Sequence, residues 1–449
     1  MMGNDSINTG MPVTGSAPVY LILSAIGFAV AALIGLQGAL KLTLPPEMTS
    51  WMVFELLRPL HTFLAMGAVL AGLFGLVEAI LVKYTGKSGH PAFLILFGTF
   101  LLVGPAALMM GQGTGREYFP APLWVSVLLI PILFSQVWRL LSAHKALTER
   151  SPEGFWLLGF GALFILLAWL ESHLRLLDSL LYSFTRDLSV QWHAIDTMFA
   201  GMNTVLFGTV MFMMSARPKP LRPWVLFAIS GFSVLLTFGH HHYVSAQPGV
   251  IKTLAVIASM VAILSLVRHF IAWRKAQGTS TNPAYLEPVL RSVEFWVIIS
   301  VLSGVIFAIP QINLITHGTY LTLIHAMGSM IGVNFLIIVL GALAFAVAPE
   351  AVRAERVQLG VRLTNWSLGG LWLVLGASGL VRGIMRIEHG YVEFQPIREA
   401  ILVGFPIAGA VLLAGIGLLC WEAVKAQGLK VSQKGGLSLQ MMSGPANSK

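Results

Sequence analysis

Long apolar runs follow one another along almost the whole chain, separated by short polar connections. Twelve are readable, over 18–41, 61–83, 92–112, 122–142, 155–174, 192–215, 223–241, 250–270, 291–310, 320–349, 364–385 and 400–424. Each is about twenty residues long, the length at which a helix crosses a bilayer core. The runs are continuous and lack the short alternating segments of a membrane β-barrel. The pattern predicts an all-α polytopic membrane protein with twelve transmembrane helices. Residues 1–17 are polar, with no basic start and no A-x-A cleavage site, and read as a cytoplasmic tail. Residues 425–449 are rich in Gly, Ser and Lys and read as a flexible cytoplasmic tail. No loop is long enough for a soluble domain, so 18–424 is expected to be one membrane domain.

Composition strengthens this picture. Of 449 residues, 56% are hydrophobic and 10% charged, against about 25% charged in ordinary soluble domains. Mean hydropathy is +0.80. With both termini cytoplasmic, 19 of the 28 Lys and Arg residues fall on the inner side. That bias is the positive-inside pattern, and it requires an even number of spans. The net charge of +9 is therefore assigned to inner loops facing lipid, and no nucleic-acid partner is expected. The single cysteine, Cys420, excludes a disulfide framework, a Cys-based zinc site and an iron–sulfur cluster. No C-x-x-C-H is present, so the chain carries no c-type heme of its own.

The histidines give the first chemical signal. On this topology His61, His193, the run His240–His242 and His325 all lie near the outer ends of spans two, six, seven and ten. One intramembrane histidine is ordinarily an interhelical hydrogen bond. Six on four helices at one depth point to a metal or heme cluster. With no thiolate available, imidazole nitrogen suits iron, copper or zinc. Adjacent His240 and His241 reach one metal if the helix unwinds there, which Gly239 and Pro248 favour. His193 is the candidate third ligand, and three histidines leave an open coordination position. His325 and Met327 are two residues apart, so they point to opposite sides of their helix and can serve two different hemes. His61 then completes an axial pair opposite Met327.

These residues resemble the catalytic subunit of the heme–copper oxidase superfamily, and within it most closely the large subunit of nitric oxide reductase. RPLHTF (58–63) is similar to the segment carrying the low-spin heme histidine. GREY (115–118) resembles an outer-loop sequence of nitric oxide reductases. HGTYLTLIHAM (317–327) resembles the loop and helix start that hold both hemes, and GHHHYVSAQP (239–248) the two-histidine stretch of the metal site. The resemblance spans nearly the whole chain. It implies two hemes of b type, His61 and Met327 holding the low-spin one and His325 the high-spin one. It implies non-heme iron, or copper, on His193, His240 and His241. It implies Arg116 paired with heme propionates and Glu117 with calcium.

The sequence also departs from that family. Met327 stands where the family has histidine, and a Met ligand raises heme potential relative to a bis-histidine pair. In HAIDTMFAGMN (193–203), Thr197 and Gly201 stand where nitric oxide reductases carry glutamates. Asp196 lies about 100° around the helix from the first of these positions. It either substitutes through water or pairs with an outer-loop cation such as Arg186. The main oxygen-reducing branch has a tyrosine where Thr197 stands. The implied activity is reduction of two NO to N2O, in a denitrifying respiratory chain, with electrons from a membrane-anchored cytochrome c subunit or quinol. The alternatives are a terminal oxygen reductase or an NO dismutase on the same fold, and, outside catalysis, a heme sensor or transporter. Among carboxylates, Glu78 and Glu171 are read as the mid-span exceptions on the inner half. The expected location is the cell inner membrane, with the active site toward the outer side.

Overall fold

The computed structural model describes residues 15–177, 183–213, 220–238, 248–277, 283–388, 401–431 and 437–439. The membrane domain is all-helical. Its long helices are α1 (Ala17–Thr43), α2 (Phe54–Thr85), α3 (Pro91–Met109), α4 (Leu123–Ser142), α5 (Pro152–Glu171) and α6 (Phe184–Met213). They continue with α7 (Pro223–Leu236), α8 (Gly249–Gln277), α9 (Glu287–Phe307), α10 (Tyr320–Ala344), α11 (Ala354–Glu388) and α12 (Gly404–Ala426).

Among the described residues, ten of these are long and apolar enough to cross a membrane. The other two, α7 and α8, lie where the remaining two spans were expected, with 14 and 29 residues. α11 has 35 residues and begins ten residues before the predicted span. At about 1.5 Å per residue it is some 52 Å long, so the amphipathic stretch from Ala354 continues the helix beyond the bilayer core. The last helix runs to Ala426, two residues past the boundary drawn at 424. Beyond it, Leu429–Val431 pairs antiparallel with Leu437–Leu439.

Helix starts follow local chemistry. Ser151 caps α5, accepting from Gly154 N at 3.3 Å, with Pro152 in the first turn. Thr319 caps α10, accepting from Leu321 N at 3.2 Å. Gly318, at φ +70°, makes the preceding turn in a conformation L side chains avoid. Gly86, at φ +69°, ends α2.

α2 and α10 form the buried spine, whereas α1, α3 and α11 expose apolar faces such as those of Leu102, Trp366 and Leu373 to lipid. Gly72 of α2 faces Ile338 of α10, and Leu76 faces Gly341. Both contacts advance in the same direction, so the two helices run parallel. Small residues allow such close approaches where lipid gives no hydrophobic drive to pack.

Several helix ends are held by buried carboxylates. Glu78, 1% exposed, accepts from Arg139 Nη2 at 3.0 Å and from Gly89 N at 3.1 Å. Glu153 accepts from Arg268 Nη2 at 3.1 Å. Glu422 accepts from Lys425 Nζ and from Arg353 N, each at 2.8 Å. Glu294 accepts from Trp273 Nε1 at 3.1 Å and Arg274 Nη1 at 2.6 Å. Glu78 is thus a helix clamp. Glu78→Ala strands the Arg139 guanidinium, and is expected to cost about 3–5 kcal/mol. Thermal unfolding in detergent reads this as a lowered Tm with an unchanged optical spectrum in the folded fraction. An unchanged Tm contradicts the clamp.

Candidate heme and metal site

His61 lies in the second turn of α2. Its Nδ1 is 2.8 Å from the Ala31 carbonyl oxygen on α1. A carbonyl only accepts, so Nδ1 carries the proton and Nε2 keeps its lone pair. The neighbouring turn of α1 is shaped for this ring. A Cβ on Gly35 would sit 2.9 Å from His61 Cε1.

His325 is treated the same way by a different helix. Its Nδ1 is 2.8 Å from Ser303 Oγ on α9. That hydroxyl has one proton, and it sits 2.8 Å from the Ile299 carbonyl oxygen. The proton goes to the carbonyl, so Ser303 accepts from His325 Nδ1–H and Nε2 again keeps its lone pair. Phe307 packs edge-on against the ring at 5.9 Å between centroids. A Cβ on Gly304 would meet His325 Cε1 at 3.4 Å.

Two residues further, Met327 ends the α-helical start of α10. Gly328–Phe335 then form a π-helical segment, an irregularity frequent at functional sites. Eleven residues separate Met327 from Ile338, and eleven separate His61 from Gly72. Because Gly72 and Ile338 touch and the helices are parallel, His61 and Met327 lie toward the same end of the bundle, each eleven residues from that contact. Met330, the other sulfur nearby, is engaged within its own helix. Its Sδ accepts from Asn334 Nδ2 at 3.5 Å.

His193 lies on α6, where Phe238 packs edge-on at 5.1 Å between centroids. Its Nδ1 is 2.6 Å from Glu171 Oε1, the last residue of α5. Glu171 therefore stands at the same end of the bundle as His193, which corrects its expected place on the half opposite the histidines. Its pairing was not apparent in the sequence, where 22 residues separate it from His193. The available signal was a carboxylate ending an otherwise apolar span beside the span that carries His193.

The two positions expected to hold glutamates have separate explanations. Thr197 is 2% exposed and its Oγ1 makes no hydrogen bond, unlike Thr204 and Thr209, which bond back to their own helix. Gly201 sits at the crossing of α5 and α6. A Cβ there would lie 2.9 Å from the Gly161 carbonyl oxygen, and one on Gly161 would lie 2.7 Å from that of Gly201. Backbone cannot yield, so no side chain fits at 201 while the helices cross this closely.

The GREY loop lies across α2 and α6. Arg116 bonds Asp187 and donates to Gln191 Oε1 at 3.1 Å. Glu117 pairs with Arg58 at 3.1 Å, one turn before His61. Tyr118 holds φ +64°, unusual for a non-glycine residue, with its ring edge-on to Phe199 at 5.1 Å. Such a conformation persists only where its surroundings enforce it. Thr114 Oγ1, donating to the Phe119 carbonyl oxygen at 2.8 Å, is one of those restraints. Burial pushes the Tyr118 phenol well above its ordinary pKa, and the Glu117 and Asp196 carboxylates push it further. Arg386, in the last turn of α11, donates to the His317 carbonyl oxygen at 3.0 Å. His240 and His241 lie outside the described residues.

Residues 16–405 match the family model for cytochrome c and quinol oxidase polypeptide I. The chain belongs to this family. The oxidase fold is seen again in a solved heme–copper terminal oxidase dimer, at a TM-score of 0.67 and 11% identity, covering 92% of this chain and 84% of that one. No curated protein matches the sequence. Membership makes the chain a multi-pass membrane oxidoreductase of the heme–copper oxidase type. The family implies hemes and a non-heme metal, and the residues described fit that requirement. Two histidines on different helices have Nδ1 committed to a protein acceptor, so Nε2 carries the lone pair, the arrangement that outer-shell partners impose on metal-binding imidazoles. The glycines beside both rings leave space that a Cβ would fill.

Proposed function

We propose that the chain is the catalytic subunit of a nitric oxide reductase. In this reading His61 and Met327 hold a low-spin heme and His325 a high-spin one. His193, with His240 and His241, holds the non-heme iron or copper. Arg116 turns to heme propionates, and Glu117 takes calcium. Two NO, two electrons and two protons give N2O and water: one N–N bond forms, one N–O bond breaks, and the freed oxygen leaves as water. The bound hemes and metal supply electron transfer and Lewis-acid charge stabilisation.

The protein's own residues do the remaining work. Ala31 and Ser303 each hold a proton on Nδ1 of a heme histidine, fixing ring orientation and tautomer. Asp196, Glu117 and Glu171 are carboxylates at the outer end, where protons enter in this reading. Both termini are cytoplasmic, and the donor is a membrane-anchored cytochrome c subunit or quinol.

Thr197 carries the choice of NO over oxygen. It is buried four residues after His193, where the main oxygen-reducing branch places a tyrosine, and a threonine cannot supply a phenolic electron and proton. The test is anaerobic turnover of the purified protein with a chemical reductant. One N2O formed per two NO consumed is the expected result. No N2O in that assay, with oxygen consumed once air is admitted, moves the assignment to the second reading, a terminal oxygen reductase.

A further inference from the structure

We propose that Glu171 is a ligand of the non-heme metal, binding through its carboxylate alongside His193. The inference rests on the reading of His193 as a metal ligand and adds a residue on a different helix.

Three observations carry it. The first is the kind of partner. Four other well-buried carboxylates, Glu78, Glu153, Glu294 and Glu422, each face Arg or Lys, among the described residues. Glu171 faces an imidazole.

The second is alignment. Glu171 Oε1 is 2.6 Å from His193 Nδ1, yet Nδ1 makes no hydrogen bond. At that distance an N–H aimed at the oxygen would make a strong, charge-assisted bond. The oxygen lies off the ring nitrogen's axis, which leaves that axis for a third atom. Two donors side by side, neither satisfied by the other, are what a shared cation requires. Carboxylate oxygen beside imidazole nitrogen is a donor set for Fe or Zn, and it tolerates copper.

The third is the helix crossing. α5 and α6 run antiparallel. Gly208 faces Leu158 and Gly154 faces Met211, so the facing pairs advance in opposite directions. Gly161 and Gly201 let the backbones touch. Continuing that register outward by one to three turns brings the end of α5 to His193. The same crossing that bars a side chain at position 201 therefore delivers a carboxylate from α5. In effect the site's acidic group has moved from α6 to the neighbouring helix.

The test uses the full-length, heme-loaded protein. Non-heme metal is titrated out with EDTA, while bound iron, copper and heme are quantified, in the native protein and in Glu171→Ala and Glu171→Gln. Changing a partner that acts only through a ligand weakens metal binding about 10–100-fold. The expected result is weakening beyond about 100-fold in both variants, with both hemes retained. Retention of metal within about 100-fold of the native affinity overturns the proposal. Should Glu171→Ala lose its hemes, the isosteric Glu171→Gln decides by the same threshold, and heme loss in both variants also counts against it. A native protein holding hemes but no non-heme metal fails the earlier reading of His193. A native protein that holds the metal, with variants that hold it equally, fails this inference alone.

Discussion

His325→Gly is expected to remove the CO-binding heme and to abolish turnover, lowering it on the order of 10⁴-fold or more, as loss of one member of a concerted unit does. His325 reaches across from α10 to Ser303 on α9, which holds its Nδ1. Neither residue supports His61, whose restraint comes from Ala31 on α1. The low-spin heme is therefore expected to survive the substitution with its spectrum intact. Imidazole supplied in the buffer occupies the vacated space beside Gly304 and restores CO binding in part. The check is a reduced-plus-CO difference spectrum on protein with a measured heme content. Full CO binding without imidazole contradicts the assignment of His325.

Met327→His is expected to keep both hemes and to lower the potential of the low-spin one by on the order of 100 mV, within the roughly 0.8 V range axial ligands command. Met–His ligation raises heme potential, and the substitution recreates a bis-histidine pair. At about 59 mV per decade for one electron, the change shifts the reduction equilibrium roughly fiftyfold. The near-infrared sulfur-to-iron band of the oxidised protein disappears with it. Position supports the pairing, since His61 and Met327 lie on parallel helices, each eleven residues to the same side of the Gly72–Ile338 contact. Met330 is the control: its sulfur is already bonded to Asn334, so Met330→Leu leaves band and potential unchanged. A potentiometric titration of both variants separates them. An unmoved potential in Met327→His shows that sulfur is not the ligand.

The membrane architecture was legible because apolar length alone encodes it. The runs of α1 to α6 and α9 to α12 each overlap their helix, though α2, α6 and α11 begin seven to ten residues earlier than predicted. α7 was predicted to reach 241, yet its helix stops at Leu236, just before the polar run that carries the histidines. The start of α11 was missed because Ala354–Arg362 is polar enough to read as a loop, while its helical propensity continues the span. That His61, His193 and His325 lie near helix ends was legible from the span pattern. Who holds each ring was not, because Ala31, Ser303 and Glu171 act through backbone position or across helices. In the sequence, Gly201 was simply a departure from the resembled family. In three dimensions it is the contact that sets how closely α5 approaches α6. The π-helical turn after Met327 left no trace in the hydrophobic pattern, since apolar residues continue through it.

The most direct test of the account is one optical spectrum, recorded oxidised, reduced and reduced with CO, with iron and copper quantified on the same sample. The account predicts two hemes, one of which binds CO, together with one further iron or copper that is not in heme. Protein that carries no heme contradicts it, and leaves the outer cluster of histidines without a chemical role.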